Sequence, residues 1–117
     1  MPAGRNDRAA PPRRAGGYEI RFASKDAADG WEELARVASN ALRTAWEAID
    51  SNPLTPTSVD RHHRLKAGYA TVTVKGRTLE QWQYEVTAGG RIWFGVDREE
   101  KVVWITYAST RHPKATD

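Results

Sequence analysis

The sequence predicts an α+β domain in which an N-terminal strand and a pair of helices cover one face of a largely antiparallel sheet of four or five strands. Three observations predict it. Apolar residues alternate at Tyr18, Ile20 and Phe22; they then recur at three- and four-residue spacing through residues 27–49; and the alternation returns from Ala70 onward. A strand, two helices and then a meander is the order that segregates helices to one side of a sheet and leaves the other side for a partner.

Residues 1–17 mix Pro, Gly, Ala and Arg without apolar periodicity. Such a segment buries too little surface to offset its ordering entropy, so it is expected to be a disordered basic tail, with a single domain over 18–117. Tyr18, Ile20 and Phe22 face one way and Glu19 and Arg21 the other, the pattern of a half-buried strand. Ser24 is a helix N-cap, and Asp26 in the first turn meets the positive end of the helix. Ala27, Ala28, Trp31, Leu34, Ala35 and Ala38 form one apolar stripe on a helix of about fourteen residues. Glu32 and Arg36, four apart, are a supporting surface pair. Asn40 caps a second helix with the stripe Leu42, Ala45, Trp46 and Ile49, and Asn52-Pro53 stops it. The two make an αα-hairpin.

Residues 51–60, with Pro53 and Pro56, are a loop. Ala70, Val72 and Val74 then alternate as a strand, and Gly76-Arg77 turns the chain. Trp82, Tyr84 and Val86 alternate with Gln81, Gln83 and Glu85, and Ala88-Gly89-Gly90 makes the next hairpin. Ile92, Phe94 and Val96 alternate with Arg91, Trp93 and Gly95. A charged turn at 97–100 leads to Val102-Val103-Trp104-Ile105, whose unbroken apolar run predicts a central strand buried on both faces. The alternation assigns Trp82 and Trp104 to the core and leaves Trp93, on the Arg91 side of its strand, as a platform on which a base could stack.

Composition bounds what such a domain does. At 117 residues the chain is one domain of ordinary size, and five tryptophans offset an otherwise polar make-up. It has no cysteine, so neither disulfides nor a thiolate zinc site is available, and a reducing cytoplasm is its expected home. No apolar run approaches the ~20 residues that span a bilayer, and no apolar segment follows Arg13-Arg14 as a secretion signal requires. The net charge of +3 is unevenly spread. Residues 18–59 are acidic, whereas residues 61–77 hold Arg61, Arg64, Lys66, Lys75 and Arg77 with no acid among them. That block suits a polyanion.

Three stretches resemble a known family. His63-Arg64-Leu65-Lys66-Ala67-Gly68 is similar to the basic segment that enters the sheet of the RelE/ParE superfamily of small bacterial toxins. Arg91-Ile92-Trp93-Phe94-Gly95-Val96-Asp97 resembles the family's arginine-led strand, and residues 102–112 resemble its apolar last strand and catalytic C-terminal segment. The likeness is nearest the YoeB- and RelE-like branch that cleaves mRNA. It implies a ribosome-dependent endoribonuclease, inhibited by a cognate antitoxin, that uses the 2′-hydroxyl of the RNA as nucleophile and needs no metal or other cofactor. A ParE-like toxin that binds DNA gyrase without catalysis, and a non-toxic nucleic-acid-binding domain, are the alternatives.

That chemistry requires a base for the hydroxyl, cations for the phosphorane and an acid for the departing 5′-oxygen. The resemblance casts Arg91 as the phosphate clamp, projecting near a sheet rim, and His112 as the proton donor. His63 stands where the family carries a glutamate and becomes the candidate base. The family's terminal tyrosine is missing, and Tyr107 lies earlier. Arg64, Lys66, Lys75, Arg77, Arg111 and Lys114, with Trp93, are the expected RNA contacts. His62 and His63 lack further ligands nearby in sequence, so no metal site is expected.

Overall fold

The computed structural model describes residues 4–7, 17–55 and 60–111. Strand β1 (Glu19–Phe22) buries Ile20 and Phe22, as its alternation requires. Ser24 starts α1 (Lys25–Val37) by accepting a hydrogen bond from the Ala27 N–H at 3.1 Å. Helix α2 (Ser39–Ser51) follows almost at once. The break falls at Ala38, which leaves helical space at φ −147° and is both the C-cap of α1 and the N-cap of α2. Asn40 therefore lies inside α2 and does not cap it. Ala35 is exposed, so Ala27, Ala28, Trp31 and Leu34 carry the buried stripe, and Arg36 pairs with Glu33.

The rest of the domain is sheet. Strands β2 (His62–Arg64), β3 (Thr71–Val74), β4 (Arg77–Glu85), β5 (Arg91–Asp97) and β6 (Val102–Ser109) join β1 in the order β1-β6-β5-β4-β2, with β3 also paired to β4. Six strands thus replace the four or five expected. The additional one, β2, is only three residues long and contains no aliphatic side chain to betray a period. The sheet is also mixed. β1 runs parallel to β6, with Glu19 opposite Val102 and Phe22 opposite Ile105, whereas the other pairings are antiparallel.

Both helices lie on one face. Trp31, Leu34, Leu42 and Ile49 pack there with Ile20, Phe22, Trp82, Tyr84, Ile92, Phe94, Val103 and Ile105 in one core. Full burial of each large side chain contributes about 1.5–3 kcal/mol before entropy is counted. The contact is close at Gly30, where a Cβ would stand 1.8 Å from the carbonyl oxygen of Ala108. Strand β6 lies between β1 and β5, with Val103 and Ile105 fully buried and Trp104 nearly so, as expected of its apolar run. Trp104 belongs to a second, smaller cluster with Val74 and Leu79.

Of residues 1–17, expected as a tail, residues 4–7 and 17 are described. The Asn6 N–H donates to the Phe22 carbonyl (2.8 Å), the Phe22 N–H donates to the Asp7 carbonyl (3.0 Å), and the Arg21 guanidinium donates to the Asn6 carbonyl. Asn6 and Asp7 thereby take up both backbone groups of Phe22 at the end of β1. Residues 1–3 and 8–16 lie outside the described set. Among the described residues no helix is long and apolar enough to cross a membrane.

Candidate nucleic-acid interface

Side chains alternate across a strand, so the residues that do not face the helices share the opposite face of the sheet. Strand registers place His63, Gln83, Trp93 and Tyr107 side by side across β2, β4, β5 and β6. The last member of the row depends on an irregularity. The register shifts between Trp93, which faces Tyr107, and Phe94, which faces Ile105. Thr106 is left as the extra residue of a β-bulge, so Ile105 and Ala108 both reach the core while Tyr107 stays in the row.

An excursion of the chain completes the surface. Between β2 and β3 the edge leaves β4 at Leu65, whose N–H donates to the Gln81 carbonyl, and returns at Ala70, whose carbonyl accepts from the Gln81 N–H. The intervening turn (Ala67–Tyr69) begins with Ala67 in the left-handed region at φ 53°. The Gln81 side chain ties this excursion to β6, since its amide donates to the Tyr69 carbonyl at 2.9 Å while its Oε1 accepts from the Thr106 hydroxyl. Tyr69 is thereby brought over Trp93, with ring centroids 5.2 Å apart, and Trp93 meets Tyr107 at 4.8 Å. The Trp93 indole N–H donates to Gln83 Oε1 at 2.8 Å.

Further along, the same face is closed. Val72 of β3 packs onto Gly95 of β5, where a Cβ would stand 2.9 Å from Val72 Cγ1. Among the described residues of this row, Gln81, Gln83 and Trp93 are buried, so Tyr69, with half-buried Tyr107 and His63, is what the face presents.

Several residues singled out from the sequence sit elsewhere than expected. Arg91 does not project from a rim. It is 5% exposed, and its Nη1 donates to the carbonyls of Thr87, Ala88 and Gly90 at 3.0–3.1 Å while Nη2 lies 3.8 Å from Glu85. The reason is local: the tight turn between β4 and β5 gathers three carbonyls at one point, and the guanidinium donates to all of them, joining the Val86 N–H at Gly90. Arg77 is held in an ion-pair network, 2.7 Å from both Asp97 and Glu99. Bonds to Glu99 and Asp97 raise its pKa further, and Asp97, although burial pushes it up, is held below the usual carboxylate range by the Glu100 N–H and Arg77. The Arg91 guanidinium is thus engaged by its own turn, and that of Arg77 by two carboxylates. The stretch 61–77 contains no acid, but the fold brings acids to it from β4, β5 and the turn after β5.

Trp93 is only 8% exposed, so the ring that a base could reach is Tyr69, at 37%. Arg64 donates to the Ala70 carbonyl at 2.9 Å and lies 3.7 Å from Glu80, with its guanidinium 6.0 Å from the Trp82 ring. The Arg98 hydrogen bond is the chief reason that Glu80 titrates below its ordinary value. Lys66, Lys75 and Arg111 are exposed, Lys75 standing 5.8 Å from the Trp104 ring. His112 and Lys114 lie outside the described residues.

His63 is half-buried in the row, whereas His62 points into the helix-side core at 1% exposure, ringed by Trp82, Tyr84 and Phe94. Sequence reasoning missed Tyr69, Gln81, Gln83, Thr106 and Tyr107 as a group. One signal was legible: polar Gln81 and Gln83 alternate with aromatic residues on what is an interior strand of the sheet. No protein-family model, curated protein or solved structure matches the chain.

Proposed function

We propose that the chain is the toxin of a toxin–antitoxin pair, a RelE/YoeB-like endoribonuclease that cuts mRNA on the ribosome in the cytoplasm and is held in check by a cognate antitoxin. The observation that carries this reading is the row of His63, Gln83, Trp93 and Tyr107 on the helix-free face, with Tyr69 above it and Lys66, Lys75 and Arg111 among the exposed cations. The order strand, two helices, antiparallel strands, with the first strand parallel to the last, supports the RelE-like arrangement.

In this reading His63 removes the 2′-hydroxyl proton, the 2′-oxygen attacks the adjacent phosphorus, and the bond to the 5′-oxygen breaks to leave a 2′,3′-cyclic phosphate and a 5′-hydroxyl. The Tyr107 hydroxyl or His112 protonates the leaving oxygen, and the exposed cations meet the charge on the phosphorane. Tyr69 offers its ring to a base. Arg91, its guanidinium engaged by the turn, acts here by holding the β4–β5 hairpin.

The position of Arg91 also favours a second reading, in which the surface binds nucleic acid or gyrase without cutting. Mapping mRNA ends after induced expression separates the two. Cleavage within translated codons, reduced about 10²–10⁴-fold in His63→Ala, is the expected outcome. Intact transcripts with altered DNA supercoiling would give the gyrase-binding toxin, and growth without arrest the binding domain.

A further inference from the structure

We propose that Gln83 is a positioning residue that selects the Nδ1–H tautomer of His63 and so keeps its Nε2 as the lone pair available on the open face. The inference deepens the ribonuclease reading, and its consequence for catalysis rests on that reading.

The argument begins at Trp93. An indole N–H donates and never accepts, so the Gln83 atom 2.8 Å from Trp93 Nε1 is the amide oxygen. The amide nitrogen, which only donates, must then face the other way. It lies 3.5 Å from His63 Nε2, which therefore accepts. A neutral imidazole carries one proton, so it sits on Nδ1, and Nδ1 lies 3.2 Å from the Arg64 carbonyl, a group that can only accept. Both ring nitrogens thus report the same tautomer independently.

The two contacts differ in what a substrate could disturb. The bond to the Arg64 carbonyl leaves Nε2 free and orients the ring. The 3.5 Å contact from Gln83 is long against the usual ~2.9–3.0 Å, so an incoming hydroxyl can displace it while Nδ1–H stays anchored. The buried neighbour supplies an internal contrast. His62 Nε2 lies 2.8 Å from the Pro53 carbonyl and must donate, which makes it the opposite tautomer.

Long-range ¹H–¹⁵N correlation spectra of the full chain with labelled histidine, recorded near pH 8 where an ordinary imidazole is neutral, test the assignment directly. The expected spectrum shows His63 as Nδ1–H and His62 as Nε2–H. In Gln83→Leu the His63 signals should move toward a mixture of tautomers, and in Gln83→Glu, whose carboxylate accepts at both oxygens, toward Nε2–H, with His62 unmoved in each. An Nε2–H His63 in the parent protein would overturn the proposal. So would a His63 pattern unchanged in both variants. Should Gln83→Leu unfold, the parent spectrum and the near-isosteric Gln83→Glu still decide. RNA cleavage measured on the same samples keeps the two ideas apart: the expected spectra from a parent protein that cuts no RNA would uphold the role of Gln83 and remove the ribonuclease.

Discussion

His62 and His63 are adjacent in sequence and opposed in every other respect, because a strand sends consecutive side chains to opposite faces. His63 lies on the helix-free face; His62 sits among three aromatic rings, where burial first, and the neighbouring His63 charge to a lesser degree, lower its pKa against the opposing effect of the Pro53 carbonyl. The unfolded chain therefore binds this proton more readily than the folded one. Stability from His62 is complete above its unfolded value of 6.5 and declines as pH falls below that value toward the lower folded pKa. Urea midpoints measured from pH 7.5 to 5 should fall for the parent protein and fall less for His62→Gln, which keeps a donor for Pro53 but does not titrate. Arg91 invites a second test at this scale. Its removal takes a donor from the Thr87 and Ala88 carbonyls, while that of Gly90 keeps the Val86 N–H, so Arg91→Ala should lower the unfolding free energy by about 2 kcal/mol in urea titrations. The resemblance pointed to Arg91 as a phosphate clamp; only the arrangement of the turn carbonyls shows what it touches.

At the scale of elements, backbone proximity decides what sequence periodicity does not. Gly30 lies inside α1, where alanine would ordinarily help by about 1 kcal/mol. Here the added carbon would meet the backbone of β6, so Gly30→Ala should instead cost about 2 kcal/mol, seen as a lowered denaturant midpoint with the m-value kept. Gly95 differs, because its obstacle is a side chain. Gly95→Ala should be destabilising in the parent and markedly less so in a Val72→Ala background, which a double-mutant cycle reads as coupling between the two sites. The long elements were legible because each carries several turns or pleats of one period: α1, α2 and β5 lie within a residue or two of where their apolar residues put them, while β4 begins four residues before its alternation, at Arg77, and β6 runs four residues past its apolar run, to Ser109. Strand β2, the excursion that carries Tyr69 and the bulge at Thr106 were not. Three residues are too few to show a period, and the bulge shows only as a skipped step, from Ile105 to Ala108, in the apolar alternation.

For the whole molecule, the distribution of free charge differs from the distribution in the sequence. Arg77 is neutralised across the sheet, and Arg64 is turned onto its own edge strand, whereas Lys66, Lys75 and Arg111, of the proposed RNA contacts, are exposed. Replacing these three with alanine should reduce the slope of log affinity against log salt for single-stranded RNA by about 0.7 per residue, whereas Arg77→Ala should leave that slope unchanged. The basic character of this half was legible from residues alone. Which cations are free was not, since the acids that occupy the others arrive from strands distant in sequence. The same distance governs how the molecule comes into being. Because β1 pairs with β6, and both helices rest on strands that follow them, a nascent chain holds its first strand and αα-hairpin without their partners until nearly the whole domain has left the exit tunnel. Tyr107, the last member of the open-face row, belongs to that final strand, so an incomplete chain lacks the assembled row until its synthesis is nearly finished.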